Sequence, residues 1–120
     1  MSVETEFRAL LAAHAPLTAL VGTAIALNAV PEGAAAPLVV YACTHSRTIG
    51  LNNELLADQC SLQVQCWGVS ALQADELADA VEAAVATAPA ATGACVLDRA
   101  TTFEPELSLD GTVLTVEWWV

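Results

Sequence analysis

The sequence contains no lysine and only three arginines among its 120 residues, against fourteen acidic residues. The formal net charge of −11 leaves few cations to neutralise phosphates, which argues strongly against sequence-specific binding of nucleic acid. The same charge helps to keep an apolar chain in solution, and a channel lined by such a protein repels DNA instead of holding it.

Long apolar runs are also absent, although hydrophobic residues make up 56% of the chain. No window reaches the roughly 18 uninterrupted apolar residues of a membrane span. Glu4 and Glu6 lie where the basic region of a secretory signal would be. We therefore expect a soluble protein that is made in the cytoplasm and has no membrane partner.

The four cysteines include no CxxC pair and lie within apolar runs: Cys43, Cys60, Cys66 and Cys95. We expect them to be reduced, buried small hydrophobes that hold neither a cofactor nor a metal. The alternative is a zinc site that recruits His14 or His45, although the paired spacing of zinc ligands is absent.

Hydrophobic periodicity predicts one α+β domain over residues 1–120, with helices flanking a mostly antiparallel sheet of about four to five strands. An apolar stripe predicts the first helix, and a short second helix follows from Pro16 to Gly22. The stripe comprises Val3, Phe7, Leu10, Leu11 and His14. The predicted strands are 24–29, 38–45, 60–67, 95–103 and the C-terminal segment.

A third helix is predicted after Ser70 and Gln73, which form a capping box. It places Leu77, Val81 and Val85 on one face, toward the strand at 60–67. Three acids without a basic neighbour follow its other face, and they form either a solvated surface or a cation site: Asp75, Asp79 and Glu82. Farther along, Asp110 and Gly111 predict a two-residue hairpin.

Motifs for catalysis are missing. The histidines are His14, on the stripe of the first helix, and His45, at a strand end. Cys43 lies two residues from His45 on the same strand face, where a thiol and an imidazole can meet. Phosphate-binding glycine loops do not occur. We expect no enzyme activity and no catalytic residues; an enzyme or ligand-binding domain using the Cys43/His45 strand end is the alternative.

Apolar side chains also occur where a monomer would expose them. The long connection from Ser46 to Gln59 is predicted to be a loop, and Trp67 and Trp119 fall on strand faces opposite the core. Arg8, Arg47 and Arg99 are candidates for pairing with acids of a neighbouring subunit. The predicted interface comprises Ile49, Leu51, Leu55, Leu56, Arg47, Trp67 and Trp119. The alternative is that the chain buries these side chains itself.

The order of elements and three short motifs resemble the tail-terminator or tail-completion proteins of long-tailed bacteriophages and of phage-derived gene transfer agents. The motifs are Pro37-Leu-Val-Val-Tyr41, Leu62-Gln-Val-Gln-Cys-Trp67 and the helical set Ser70, Ala74, Leu77 and Ala78. The resemblance covers essentially the whole chain. It implies an α+β subunit with a mostly antiparallel sheet flanked by helices.

The resemblance also implies a structural virion protein without catalytic residues. Such a protein forms a ring of six subunits that caps the head-proximal end of the tail tube and ends tube polymerisation. Its partners are further copies of itself, the tail tube protein, and the head-tail connector or adaptor protein that joins tail to head. DNA passes through as cargo. The ring belongs to the virion tail and is assembled in the host cytoplasm.

Overall fold

A five-stranded sheet with helices packed on one face makes up the computed structural model. The structure describes residues 3–22, 25–27, 36–52, 55–89, 92–106 and 108–119, with backbone alone at 46–49 and 55–58. The helices are α1 (Val3–Ala13), α2 (Ala15–Val21) and α3 (Ala71–Val85). The strands are β1 (Ile25–Leu27), β2 (Leu38–Ile49), β3 (Leu55–Gly68), β4 (Cys95–Glu104) and β5 (Leu109–Trp119).

The strand order in the sheet is β1-β2-β3-β5-β4. β1 runs parallel to β2, whereas every other neighbouring pair is antiparallel. This confirms the predicted α+β class with its mostly antiparallel sheet. β3 lies at the centre, so its core-facing residues meet helices on one side and strands along both edges.

The main core lies between the sheet and the helices. The helix-facing residues of β3 are fully buried: Cys60, Leu62, Val64 and Cys66. They share one cluster with Leu77, Val81 and Val85 of α3, as predicted. From α1, the Phe7 ring packs edge-on against Tyr41 and Trp118, at centroid distances of 5.5 and 6.0 Å. Each fully buried side chain of this size stabilises the fold by about 1.5–3 kcal/mol relative to exposure.

The junction between β3 and α3 explains the predicted capping box. The Ser70 hydroxyl accepts a hydrogen bond from the Gln73 backbone N–H at 3.2 Å. The Gln73 side chain in turn accepts one from the Val69 N–H at 2.8 Å, one residue before the usual position. A Cβ at Gly68 would lie 2.9 Å from Ala74 N, so only glycine fits where the strand passes the helix start.

The connection between β2 and β3 is not the predicted loop. The two strands continue, with Ile49 paired to Leu55 across a register shift at Thr48/Ile49. We call residues 46–58 the β2–β3 arm. Its backbone groups bond across the hairpin, which a loop would leave to water, and its Thr, Ile and Leu content suits a strand.

The arm projects from the sheet. Gln59, opposite Trp119, is the first residue of β3 that pairs with β5, so the part of β3 before it pairs with β2 alone among the described residues. Four residues of strand on each side correspond to roughly 13 Å. The longest dimension is 50 Å and the radius of gyration is 15.0 Å, above the about 13 to 14 Å of a compact chain of this length.

The predicted hairpin at Asp110-Gly111 is also wrong. Both residues lie within β5, and the chain turns earlier, where Ser108 has a φ of 52°. Gly111 is needed for another reason: a Cβ there would lie 2.7 Å from the Trp67 ring and 2.9 Å from Thr102. The glycine therefore makes room for Trp67 on the neighbouring strand.

Among the described residues, no helix combines the length and the apolar character that crossing a membrane requires.

Candidate assembly surfaces

The described part of the β2–β3 arm carries an apolar residue that is fully exposed near the tip. The Leu51 side chain is as exposed as in an extended peptide, at 106%. The side chains of the other predicted contact residues of the arm lie outside the described part of the chain: Arg47, Ile49, Leu55 and Leu56. Their backbones form the ribbon behind the tip, with Arg47 opposite Asp58. Their role at an interface remains a prediction.

Trp67 does not need a partner to cover it. It is only 9% exposed and belongs to a second small cluster with Leu38 and Val40, on the sheet face away from the helices. Its indole N–H donates to the Gln65 side chain at 3.3 Å. The expectation that another subunit covers this residue is therefore corrected: the ring packs over Gly111 within its own chain.

Trp119 remains a partly open surface residue. It is 40% exposed and pairs with Gln59 at the base of the arm. Its ring lies beside Gly93, whose φ is 56° and where an added Cβ would come within 2.9 Å of the indole. Trp119 thus provides exposed apolar surface next to the arm.

The acidic face of α3 is paired with an arginine of the same chain. The Arg99 guanidinium on β4 donates to Asp79 at 2.8 Å and to Glu82 at 3.0 Å, and lies 3.4 Å from Asp75. The hydrogen bond to Asp79 raises the pKa of Arg99. Two expectations are corrected here, because the three acids have a cation between them and Arg99 is engaged within its own chain.

The edge strand β4 is a surface that sequence reasoning missed. Nearly all of its residues are exposed, including Leu97 at 59% and Phe103 at 56%. Val69 and Leu72 are also exposed and lie near the end of the sheet where Phe103 pairs with Asp110. An exposed edge strand offers unpaired backbone groups to a second chain. Its signal in the sequence is a β-favouring run without alternation.

Cys43 and His45 lie within β2 and not at a strand end as expected, because the strand continues to Ile49. Cys43 Sγ lies 3.7 Å from His45 Nε2, which confirms that thiol and imidazole meet. Cys60 of β3 joins them, with its Sγ 3.0 Å from His45 Nδ1. Not all cysteines are buried as expected, because Cys95 is exposed and Cys43 is half-buried. Cys66 fits the expectation, since burial raises its thiol pKa to about 12.

The largest described groove lies elsewhere, between α1 and the segment before β4. It has a volume of about 440 Å³, and most of its surface is apolar. The residues that line it are Glu6, Ala9, Leu10, Pro89, Thr92 and Trp118. Neither histidine is among these residues, so the groove is not a substrate pocket for Cys43 and His45.

Comparison with known proteins identifies the family. The family described as tail completion protein gp17 matches residues 5–120. A solved structure described as the virion of a native gene transfer agent particle contains a chain with a similar fold, with a TM-score of 0.77 and 19% identity over 99% of this chain and 94% of that one. A search of curated proteins found no significant match. The chain belongs to the tail completion protein gp17 family, and it is a structural protein of the virion tail.

Proposed function

We propose that this chain, acting as one tail-terminator-like domain over residues 1–120, forms a ring of six copies at the head-proximal end of the tail tube. The ring ends tube polymerisation and offers the docking surface for the head-tail connector or adaptor protein. Its role is structural and involves no catalytic residue. Family membership supports a place in the tail, and the shape of the subunit supports the ring.

The β2–β3 arm is the observation that carries this proposal. A hairpin that leaves its own sheet and ends in a fully exposed leucine gains nothing for the isolated subunit. Covering Leu51 with a neighbouring subunit or with the end of the tube removes apolar surface from water. The arm is therefore the contact that we expect to depend on assembly.

The two edges of the sheet support a ring as opposed to a two-fold dimer. The strands β1 and β4 lie at opposite edges, and they differ in length and direction. A subunit that joins one surface to a different surface of the next copy builds a closed ring when the rotation between copies closes. The exposed residues of β4 provide one of these two surfaces.

The charge of the chain suits a passage for DNA. Each copy contributes a net charge of −11, so a ring of copies presents little that would hold phosphates. DNA would pass through the ring as cargo without binding to the surface of the channel.

Replacing Leu51 and Leu55 together by Ser tests the proposal. We expect the thermal midpoint of the isolated chain to change little, because Leu51 makes no contact with the core. We expect loss of the ring, or loss of its attachment to tail tubes. Light scattering after size exclusion and electron microscopy of tubes grown with the variant measure the two effects.

The control is Leu20→Ser, which removes a partly exposed leucine from α2, away from the arm. This variant should cap tubes at normal length. Unfolding of the Leu51/Leu55 variant would place these leucines in the subunit's own core. A folded Leu51/Leu55 variant that still caps tubes at normal length would remove the arm from the interface.

A further inference from the structure

Three side chains that bind transition metals converge at the base of the β2–β3 arm. His45 lies directly opposite Cys60 in the β2/β3 register, and Cys43 is two residues from His45 on the same strand face. This is the face that the helices cover. One ligand atom from each residue lies within 4.8 Å of the others. The pairing of the strands thus brings the Cys60 thiol to a thiol and an imidazole that lie 15 or more residues earlier in the chain.

The distances from His45 Nε2 to three neighbouring ligand atoms are those expected around one ion. His45 Nε2 lies 3.7 Å from Cys43 Sγ and 3.8 Å from Cys60 Sγ. From the first turn of α1, Glu4 Oε1 lies 3.5 Å from the same nitrogen. Neighbouring ligands of a tetrahedral zinc ion are about 3.5 Å apart, because Zn–S bonds measure about 2.3 Å and Zn–N bonds about 2.0–2.1 Å. The three distances around His45 Nε2 are close to that value.

We propose that Cys43, His45 and Cys60 bind a zinc ion, with the Glu4 carboxylate as the fourth ligand. Two thiolates and an imidazole form a ligand set that favours zinc, whereas magnesium and calcium prefer oxygen ligands. On binding, each thiol gives its proton to the solvent, and the thiolate then coordinates the metal. Cys60 Sγ now lies 3.0 Å from His45 Nδ1. When zinc binds His45 Nε2 and Cys60 Sγ, the bond from the sulfur to the metal replaces this contact.

The four proposed ligands come from three different elements, so a bound metal would link these elements. Glu4 belongs to α1, Cys43 and His45 to β2, and Cys60 to β3. A shared ion would fasten the first helix to both strands at the point where they leave the sheet as the arm. The direction of the arm would then depend on zinc. The site itself stands apart from the proposed ring and does not rest on it.

Cobalt and zinc titration of the reduced, full chain tests the site. We expect one Co²⁺ per chain, with a thiolate-to-cobalt charge-transfer band in the near ultraviolet and the visible bands of tetrahedral cobalt, both lost on addition of Zn²⁺. The variants Cys43→Ser and His45→Gln should each weaken binding at least about tenfold. The matched control, Cys95→Ser, removes an exposed thiol outside the site and should bind as the original chain does.

Circular dichroism of each variant establishes that the fold is retained. An octahedral cobalt spectrum without the charge-transfer band overturns the proposal. Unchanged affinity in folded Cys43→Ser and His45→Gln variants does so as well, and so does a Cys43–Cys60 disulfide in the chain purified from cells. Unchanged affinity in Glu4→Gln overturns the assignment of the fourth ligand.

Discussion

At the scale of single residues, Gly111 and Trp67 form a close contact on the sheet face away from the helices. The glycine leaves space for the indole beside β5, and a methyl group at position 111 would overlap the ring. We expect Gly111→Ala to lower the free energy of unfolding by about 1–3 kcal/mol, the usual cost of overpacking. Urea unfolding measures this change.

A second variant separates the clash from a backbone effect. In a Trp67→Leu background the added methyl group has no ring to meet, so Gly111→Ala should cost much less there. An equal cost in both backgrounds would show that the glycine serves the backbone of β5 and not the packing of Trp67.

Cys66 gives the fold a dependence on alkaline pH. Burial raises its pKa from 9.0 to about 12, so the folded chain keeps a proton that the unfolded chain loses above pH 9. The stability that this thiol contributes is complete below pH 9 and is lost as the pH rises toward 12. The free energy of unfolding should fall by up to about 1.4 kcal/mol per pH unit over this range.

Denaturant unfolding at pH values between 8 and 11 measures that slope. In a Cys66→Ala variant, the free energy of unfolding should fall less steeply with pH, because the contribution of this one proton is gone. Cys95→Ala, which removes an exposed thiol, should keep the slope of the original chain. If Cys66→Ala shows the same pH dependence as the original chain, the buried thiol is not its source.

At the scale of elements, Arg99 connects the edge strand β4 to α3. Its guanidinium lies among three carboxylates that would otherwise repel each other along the helix. The pairs are partly exposed, so we expect Arg99→Met to cost only about 1 kcal/mol of unfolding free energy. Thermal or urea unfolding at low salt measures the loss, and high salt should reduce the difference.

Asp98→Asn is the control for a change of charge on the same strand. It should leave stability nearly unchanged, since Asp98 is exposed and is not part of the Arg99 cluster. A stability of Arg99→Met equal to that of the original chain would mean that α3 and β4 are held together by packing alone.

The elements that the sequence predicted well are those with a strong local period. The stripe of Val3, Phe7 and Leu11 determines the buried face of α1, and the alternation around Leu62 and Val64 determines that of β3. The arm was missed because the length of a connection does not say whether two strands continue into it. The Asp-Gly turn was misread because the neighbour of Gly111 is Trp67, a contact between strands that no local pattern contains.

The side-chain contacts of the candidate surfaces could be predicted only between residues that are close in the sequence. Cys43 and His45 are two residues apart on a strand, so their meeting could be foreseen. Cys60 joins them through the register of β2 and β3, and Arg99 reaches α3 across the fold. Both depend on pairing between distant segments, which a single sequence does not specify.

At the scale of the whole molecule, the subunit is a one-sided sheet with a projecting arm and an exposed edge strand. The helices bury one face of the sheet, while the arm and β4 extend apolar groups into solvent: Leu51, Leu97 and Phe103. These features are liabilities for a lone protein. A tail component assembles with other tail and head proteins, and the proposed function assigns these features to such contacts.

The position and copy number of this chain on assembled tails test the ring most directly. Electron microscopy of tails from particles that contain the chain, with averaging along the tube axis, locates it. The proposed function predicts six copies, related by rotation, at the head-proximal end alone, each with its β2–β3 arm against a neighbour or the tube. Copies distributed along the tube, copies at the opposite end, or a single copy per tail would contradict it.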